Sequence, residues 1–139
     1  MKNIIVVTGG AGFIGSNLIK YLIKKTKYKI ISIDNYSTGT KKNHTKHNNV
    51  KYIKDKNINI SKLLKNYKKR IKVIFHFGEF SRIYQSFLKP KECLESNINN
   101  SFAVINFAKD NKIKIIYSAT SSALGNNGKD ENLSPYAWL

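Results

Sequence analysis

Five short apolar runs punctuate the chain, and stretches with helical spacing lie between most of them. The first, Asn3-Ile4-Ile5-Val6-Val7, is nearly unbroken, as a strand covered on both faces requires. Phe13, Ile14, Leu18, Ile19, Leu22 and Ile23 then recur at helical intervals, with Lys20, Lys24 and Lys25 on other faces. Lys29-Ile30-Ile31-Ser32-Ile33 predicts a second strand and Val50-Lys51-Tyr52-Ile53 a third, separated by a polar loop from Asn35 to Asn49. Ile60, Leu63, Leu64 and Tyr67 predict an amphipathic helix, followed by Lys68, Lys69 and Arg70, whose charge suits a helix C-terminus. Lys72-Val73-Ile74-Phe75-His76-Phe77 is a fourth strand. A long helical stretch with Leu94, Ile98, Phe102 and Ile105 at intervals of four, four and three leads to a fifth, Lys114-Ile115-Ile116-Tyr117-Ser118. This alternation predicts an α/β fold, a doubly wound parallel sheet with helices on both faces.

The join between the first strand and the first helix carries the strongest chemical signal. It reads Val7-Thr8-Gly9-Gly10-Ala11-Gly12-Phe13-Ile14-Gly15. Glycines there allow a tight turn and let phosphates approach the backbone, while the helix start offers free N–H groups and a positive dipole end. Asp34 closes the second strand nineteen positions after Gly15. A carboxylate at that distance is placed to read ribose hydroxyls and repels a 2′-phosphate, which points to NAD rather than NADP. Lys41 and Lys42 nearby weaken that preference. In such sheets ligands bind beyond the strand C-termini, and the polar clusters Asp34-Asn35, His76 to Ser81 and Ser118 to Ser122 all follow strand ends.

Composition narrows the picture. The 139 residues suffice for one core, and no apolar stretch approaches the ~20 residues of a membrane span. The N-terminus runs directly into the first strand, so no signal peptide is expected. The single cysteine, Cys93, excludes an internal disulfide and fits a reducing cytoplasm. The net charge of +17 comes almost wholly from scattered lysines, with Arg70 and Arg82 the only arginines. Nucleic-acid contacts favour arginine, so a lysine-rich compositional bias explains the charge better than a nucleic-acid partner. His44 and His47 have metal-like spacing but sit in a polar loop without nearby Cys or acid, and no metal site is expected.

Taken together, Thr8 to Gly15, Asp34-Asn35-Tyr36-Ser37-Thr38-Gly39, Phe75 to Ser101, Tyr117 to Gly125 and Ser134-Pro135-Tyr136 resemble the extended short-chain dehydrogenase/reductases, in the NAD-dependent epimerase/dehydratase group. The resemblance implies a Rossmann-type fold, NAD as cofactor and a nucleotide sugar, foremost a UDP-sugar, as substrate. It further implies that Gly9, Gly12, Phe13, Ile14 and Gly15 meet the pyrophosphate and that Asp34 and Asn35 hold the adenosine ribose. Phe77, Gly78, Glu79 and Ser81 would border the cofactor, with Asn97 in the helix behind it. Glu79 departs from the small residue usual there, and either Asp55 or Lys56 falls where the group has an adenine-side Asp. Thr120 matches the catalytic Ser or Thr, while Leu124 replaces a usual Tyr. Tyr136 matches the proton-transferring tyrosine, and Ser134 and Pro135 suit a helix start. A free tyrosine has a pKa near ~10. The group lowers it with a lysine four residues on, which would be position 140. The chain is therefore expected to be an incomplete NAD-binding domain, C-terminally truncated, without its sugar-nucleotide domain and inactive alone. The full-length form is expected to be a homodimer.

Among reactions of the group, transient oxidation of a sugar hydroxyl followed by epimerisation is the leading expectation. Dehydratases and decarboxylases of the group place carboxylates near the catalytic Thr, where this chain has Ser121 and Ser122. A reductase or dehydrogenase, a 4,6-dehydratase and a non-catalytic NAD-binding protein are the alternatives.

Overall fold

The computed structural model describes residues 3–129 and 133–138; Leu139 lies outside the described residues. Five parallel strands form one sheet in the order β3-β2-β1-β4-β5: β1 Ile4–Thr8, β2 Lys29–Asp34, β3 Val50–Lys54, β4 Ile71–His76 and β5 Lys114–Tyr117. This is the Rossmann-type doubly wound arrangement, and chain order reverses on either side of β1. Thr8, at the C-terminal end of β1, lies opposite Ile33 on one side and His76 on the other. A crevice opens above such a switch point.

The apolar run of β1 is continuous because each face meets a different core. Ile4 and Val6 join Ile31, Ile33, Ile74, Ile60, Leu64, Val104 and Phe107 on one side. Ile5 and Val7 pack with Ile19, Leu22 and Ile30 on the other. Helix α1 (Phe13–Lys25) supplies Ile19 and Leu22, and ends where Thr26 bonds back to the Leu22 carbonyl. Its first two residues do not join the core. Phe13 is 82% exposed and Ile14 63%, because both stand at the crevice rather than against the sheet.

The amphipathic helix expected over Ile60 to Tyr67 is shorter. A 3₁₀ turn at Asn57–Asn59 leads into α2, Ile60–Leu63. The chain then tightens, with the Tyr67 N–H donating to the Leu64 carbonyl at 2.8 Å, and a second 3₁₀ turn spans Lys68–Arg70. A regular helix would stack Lys65 against Lys68 and Lys69, and like charges at those spacings repel. The tighter path still buries Ile60 and Leu64 completely. It also sets Lys51 and Arg70 over the Tyr67 ring, at 5.6 and 5.5 Å from its centroid.

Beyond β4, α3 spans Ile83–Leu88 and α4 Pro90–Leu94. The chain continues through a π-helical segment, Glu95–Asn100, into α5, Ser101–Asp110. The regular stripe Leu94, Ile98, Phe102 and Ile105 faces outward, each residue at least 43% exposed. The buried face instead carries Cys93, Asn97, Asn100, Ser101, Val104, Phe107 and Ala108. Its first half is polar because it backs onto the crevice, and only its second half meets the apolar core. Two one-turn helices, α6 (Gly125–Gly128) and α7 (Pro135–Trp138), complete the described chain.

Candidate functional site

The crevice at the switch point is a cleft of about 490 Å³. One wall is the glycine turn between β1 and α1. Gly9 has φ +69, and a Cβ there would lie 2.6 Å from the Phe77 carbonyl oxygen. A Cβ on Gly15 would fall onto the Gly9 carbonyl. These two glycines let β1, α1 and the end of β4 meet. Gly12 differs, since a Cβ there would meet only the Gly9 oxygen, at 3.3 Å, with the cleft otherwise open before it. Gly12 caps α1 without a side-chain hydrogen bond. The N–H groups of the first turn have no acceptor within the helix and stand beside that space.

Asp34, at the end of β2, is buried and lines the cleft. One carboxylate oxygen accepts the Ala11 N–H at 2.9 Å and the other the Tyr36 N–H at 2.7 Å. The carboxylate is thus pinned to the glycine turn, with a lone pair on each oxygen still available. Tyr36 occupies a left-handed conformation, φ 61. Its hydroxyl lies 2.9 Å from His44 Nε2, and His44 stacks on Tyr52 with ring centroids 3.7 Å apart. Burial holds His44 below the ordinary histidine range, with the nearby Lys41 charge acting in the same direction. The hydrogen bond shared by the Tyr36 hydroxyl and His44 Nε2 braces the loop after β2. Asn35 and Gly39 line the same end of the cleft.

The floor is built by a chain of hydrogen bonds. Thr8 Oγ1 accepts the Phe77 and Gly78 N–H groups, both at 3.1 Å. Its own proton is then free to donate to His76 Nδ1, 2.6 Å away. That choice places the ring proton on Nε2, which donates to Ser101 Oγ at 3.0 Å, and Ser101 donates in turn to Glu79 Oε1 at 3.0 Å. Burial lowers the His76 pKa to about 4, so the ring is neutral. Its 3.9 Å approach to Glu79 is therefore a contact rather than an ion pair. Burial pushes the Glu79 carboxyl up, while hydrogen bonds from Tyr117 and Ser101 pull it back. Tyr117 is pushed up to about 12 by burial and by the Glu79 charge, so its hydroxyl remains a donor.

The remaining lining comes from distant parts of the chain. Asn97 sits behind the loop after β4, its amide accepting the Phe80 N–H at 2.7 Å and donating to the Phe80 carbonyl at 2.9 Å. Phe77, Gly78, Glu79 and Ser81 face the cleft from that loop, and Thr120 and Tyr136 from beyond β5. Thr120 Oγ1 accepts the Ser122 N–H at 3.1 Å. Asp55 lines the cleft, whereas Lys56 turns outward to pair with Glu95 at 2.8 Å.

Two residues at this site carry no signal in the sequence pattern. Ser86, fully buried in α3, accepts the Tyr136 N–H at 3.1 Å and so anchors the start of α7. Asn57 donates to the Gly78 carbonyl at 3.0 Å, leaving its Oδ1 buried in the cleft wall without a partner. Each matters only through a partner 21 or more positions away. The open space at Gly12, the unpaired N–H groups of α1, the pinned carboxylate and the orphaned amide oxygen fit an extended anionic cofactor with a ribose and a hydrogen-bonding base.

Comparison with known proteins points the same way. A family model described as "NAD dependent epimerase/dehydratase family" matches residues 5–137. The chain is 35% identical over 136 residues to a dTDP-D-glucose 4,6-dehydratase of Dictyostelium discoideum, covering 92% of this chain and 31% of that protein. A solved UDP-N-acetylglucosamine 4-epimerase from Methanobrevibacter ruminantium superimposes with TM-score 0.83 at 33% identity, covering 99% of this chain and 46% of that one. A UDP-glucose 4-epimerase from Thermotoga maritima, solved with UDP-glucose, gives TM-score 0.84 at 27% identity, covering 97% and 47%. The chain thus spans less than half the length of these proteins.

Two outcomes follow from this geometry. Gly12→Ala leaves the fold intact, with unfolding free energy within about 1 kcal/mol of wild type, yet weakens NAD binding by about tenfold or more because the methyl enters the cleft. Urea titration and calorimetric binding measure the two effects separately. The second concerns pH. His76 titrates near 6.5 when unfolded and about 4 when folded, so between those values the unfolded chain binds the extra proton. Its contribution to stability is present above pH 6.5 and is lost as pH falls toward 4, by up to about 3 kcal/mol. The difference in urea midpoint between wild type and His76→Gln, followed from pH 7 to pH 4.5, should narrow by that mechanism.

Proposed function

Because the chain belongs to the NAD dependent epimerase/dehydratase family, we propose that the protein is a nucleotide-sugar epimerase that transiently oxidises a sugar hydroxyl, with UDP-sugars as substrates. The observation that carries the reading is the convergence of Thr120 and Tyr136 on the cleft that also holds Gly12 and Asp34. Residues from the two ends of the chain line one cleft, as an oxidation site beside a cofactor requires.

Gly9, Gly12, Phe13, Ile14 and Gly15 would hold the NAD pyrophosphate, Asp34 and Asn35 the adenosine ribose, and Phe77 to Ser81 the opposite half. NAD, when bound, supplies the hydride acceptor and donor. Tyr136 is the group we assign to take the proton from the sugar hydroxyl, and Thr120 the group that orients that hydroxyl by a shared hydrogen bond. Ser86 holds the Tyr136 backbone, so the phenol is presented from a fixed point. Ser121 and Ser122 stand where elimination of water would call for carboxyl groups, which favours epimerisation over the dehydration named for the Dictyostelium relative. The segments that grip the sugar would lie in the part of the longer relatives that this chain does not match. Residues 1–139 are then the NAD-binding unit.

The outward stripe of Leu94, Ile98, Phe102 and Ile105, continuous along one helix face, is the surface we assign to a second copy of the same chain in a homodimer. No helix among the described residues is long and apolar enough to cross a membrane. With a lone free cysteine, Cys93, this supports a cytoplasmic enzyme.

Full-length protein incubated with NAD and UDP-glucose should produce UDP-galactose, detected by NMR of the anomeric protons. Tyr136→Phe should lower kcat by about 10²- to 10⁴-fold with NAD affinity within about twofold of wild type. A protein that binds NAD but interconverts no UDP-sugar would overturn the epimerase reading in favour of a binding-only role.

A further inference from the structure

Among the described residues three carboxyl-bearing side chains line the cleft, and they are unevenly placed. Asp34 and Asp55 stand at the ends of β2 and β3, on the adenosine side of the proposed cofactor. Among the described residues Glu79 is the only acid lining the other half, the half that also carries Thr120 and Tyr136. It is also a departure from the small residue that its family resemblance leads one to expect.

The hydrogen-bond chain beneath it points donors at the Glu79 carboxyl. Thr8 accepts two backbone N–H groups and donates to His76 Nδ1, His76 Nε2 then donates to Ser101, and the shorter of the two contacts of the Ser101 hydroxyl runs to Glu79 Oε1, at 3.0 Å against 3.4 Å to the Ser96 carbonyl. Tyr117 donates to the same carboxyl from β5. Donors converge on Glu79 from two elements, and an ionised carboxylate, which only accepts, satisfies all of them. Of the titratable groups near it, His76 is neutral and Tyr117 protonated. Tyr136 lies beyond Tyr117, and Arg82 is solvent-exposed at the cleft mouth.

Oxidised nicotinamide carries a positive ring, and the reduced form a neutral one. Resting on the assignment of this cleft to NAD, we propose that the Glu79 carboxylate sets the protein's preference for the oxidised over the reduced cofactor, by placing one fixed negative charge under the nicotinamide half of the cleft. The rest of the chain, though strongly basic overall, puts no other acid there among the described residues. The effect acts on binding and needs no turnover to be seen.

The test is the ratio of dissociation constants for NADH and NAD⁺ on full-length protein at pH 8, by NADH fluorescence and by calorimetry. Glu79→Gln keeps the shape and removes the charge, and should shift the ratio toward NADH by about threefold or more. Glu79→Asp, which keeps the charge, should stay closer to wild type than the Gln variant. Tyr117→Phe removes one donor and leaves the carboxylate more exposed to the ring, so its ratio should move further toward NAD⁺. That variant decides the matter if the Glu79 variants do not fold. Both forms bound with ratios unchanged in every folded variant would overturn the inference while leaving the cofactor site standing. No binding of either form by wild type would instead overturn the NAD assignment, and the inference with it.

Discussion

The Thr8 hydroxyl is the contact on which the site depends. It stands at the last position of β1, opposite His76 at the last position of β4, and it is the only side-chain group joining the two strand ends at that level among the described hydrogen bonds. By accepting the N–H groups of Phe77 and Gly78 it bends the chain leaving β4 across the cleft floor. That bend brings the Phe77 carbonyl against Gly9, where only a glycine fits. The glycine turn and the loop after β4 are therefore one construction. A buried N–H left unpaired costs about 1–3 kcal/mol, and loss of the Thr8 hydroxyl would strip the Gly78 N–H of its partner, while the Phe77 N–H would keep only its longer bond to the Thr8 carbonyl at 3.3 Å.

From that join the polar interior spreads outward. His76 is held neutral because it is buried. The buried face of the Pro90–Asp110 helix is polar over Asn97, Asn100 and Ser101, where it backs the cleft. It becomes apolar over Val104, Phe107 and Ala108, where it meets the sheet core. Asn100 accepts the Ile58 N–H at 3.1 Å, so the same helix also fixes the segment that carries Asn57. A basic protein thereby keeps a cleft with acidic groups at both ends, Asp34 on one side and Glu79 on the other.

The sheet and the glycine turn were legible in the sequence because both are local. Continuous apolar runs are what two-sided burial demands, and the glycines with Asp34 carry their meaning in their spacing. The helix face from Cys93 to Ala108 was not legible. Apolar periodicity marks the buried side of a helix only when the neighbour is apolar, and here the more regular stripe, Leu94 to Ile105, is on the outside. The second helix was overestimated because periodicity does not register the repulsion among Lys65, Lys68 and Lys69. The contacts of Ser86, Asn57, Ser101 and Thr8 were silent for a different reason. Each acts on a partner between 21 and 70 positions away, and such pairs exist only once the fold has formed.

If Thr8 organises the cleft, the hydroxyl and not the bulk of the side chain should govern cofactor binding. The direct measurement is the NAD dissociation constant of Thr8→Ser and Thr8→Val beside wild type, with folding verified by circular dichroism. The account predicts that Thr8→Ser binds within about twofold of wild type, while the isosteric Thr8→Val, folded but less stable, loses about tenfold or more. Equal binding by the serine and valine variants would contradict it.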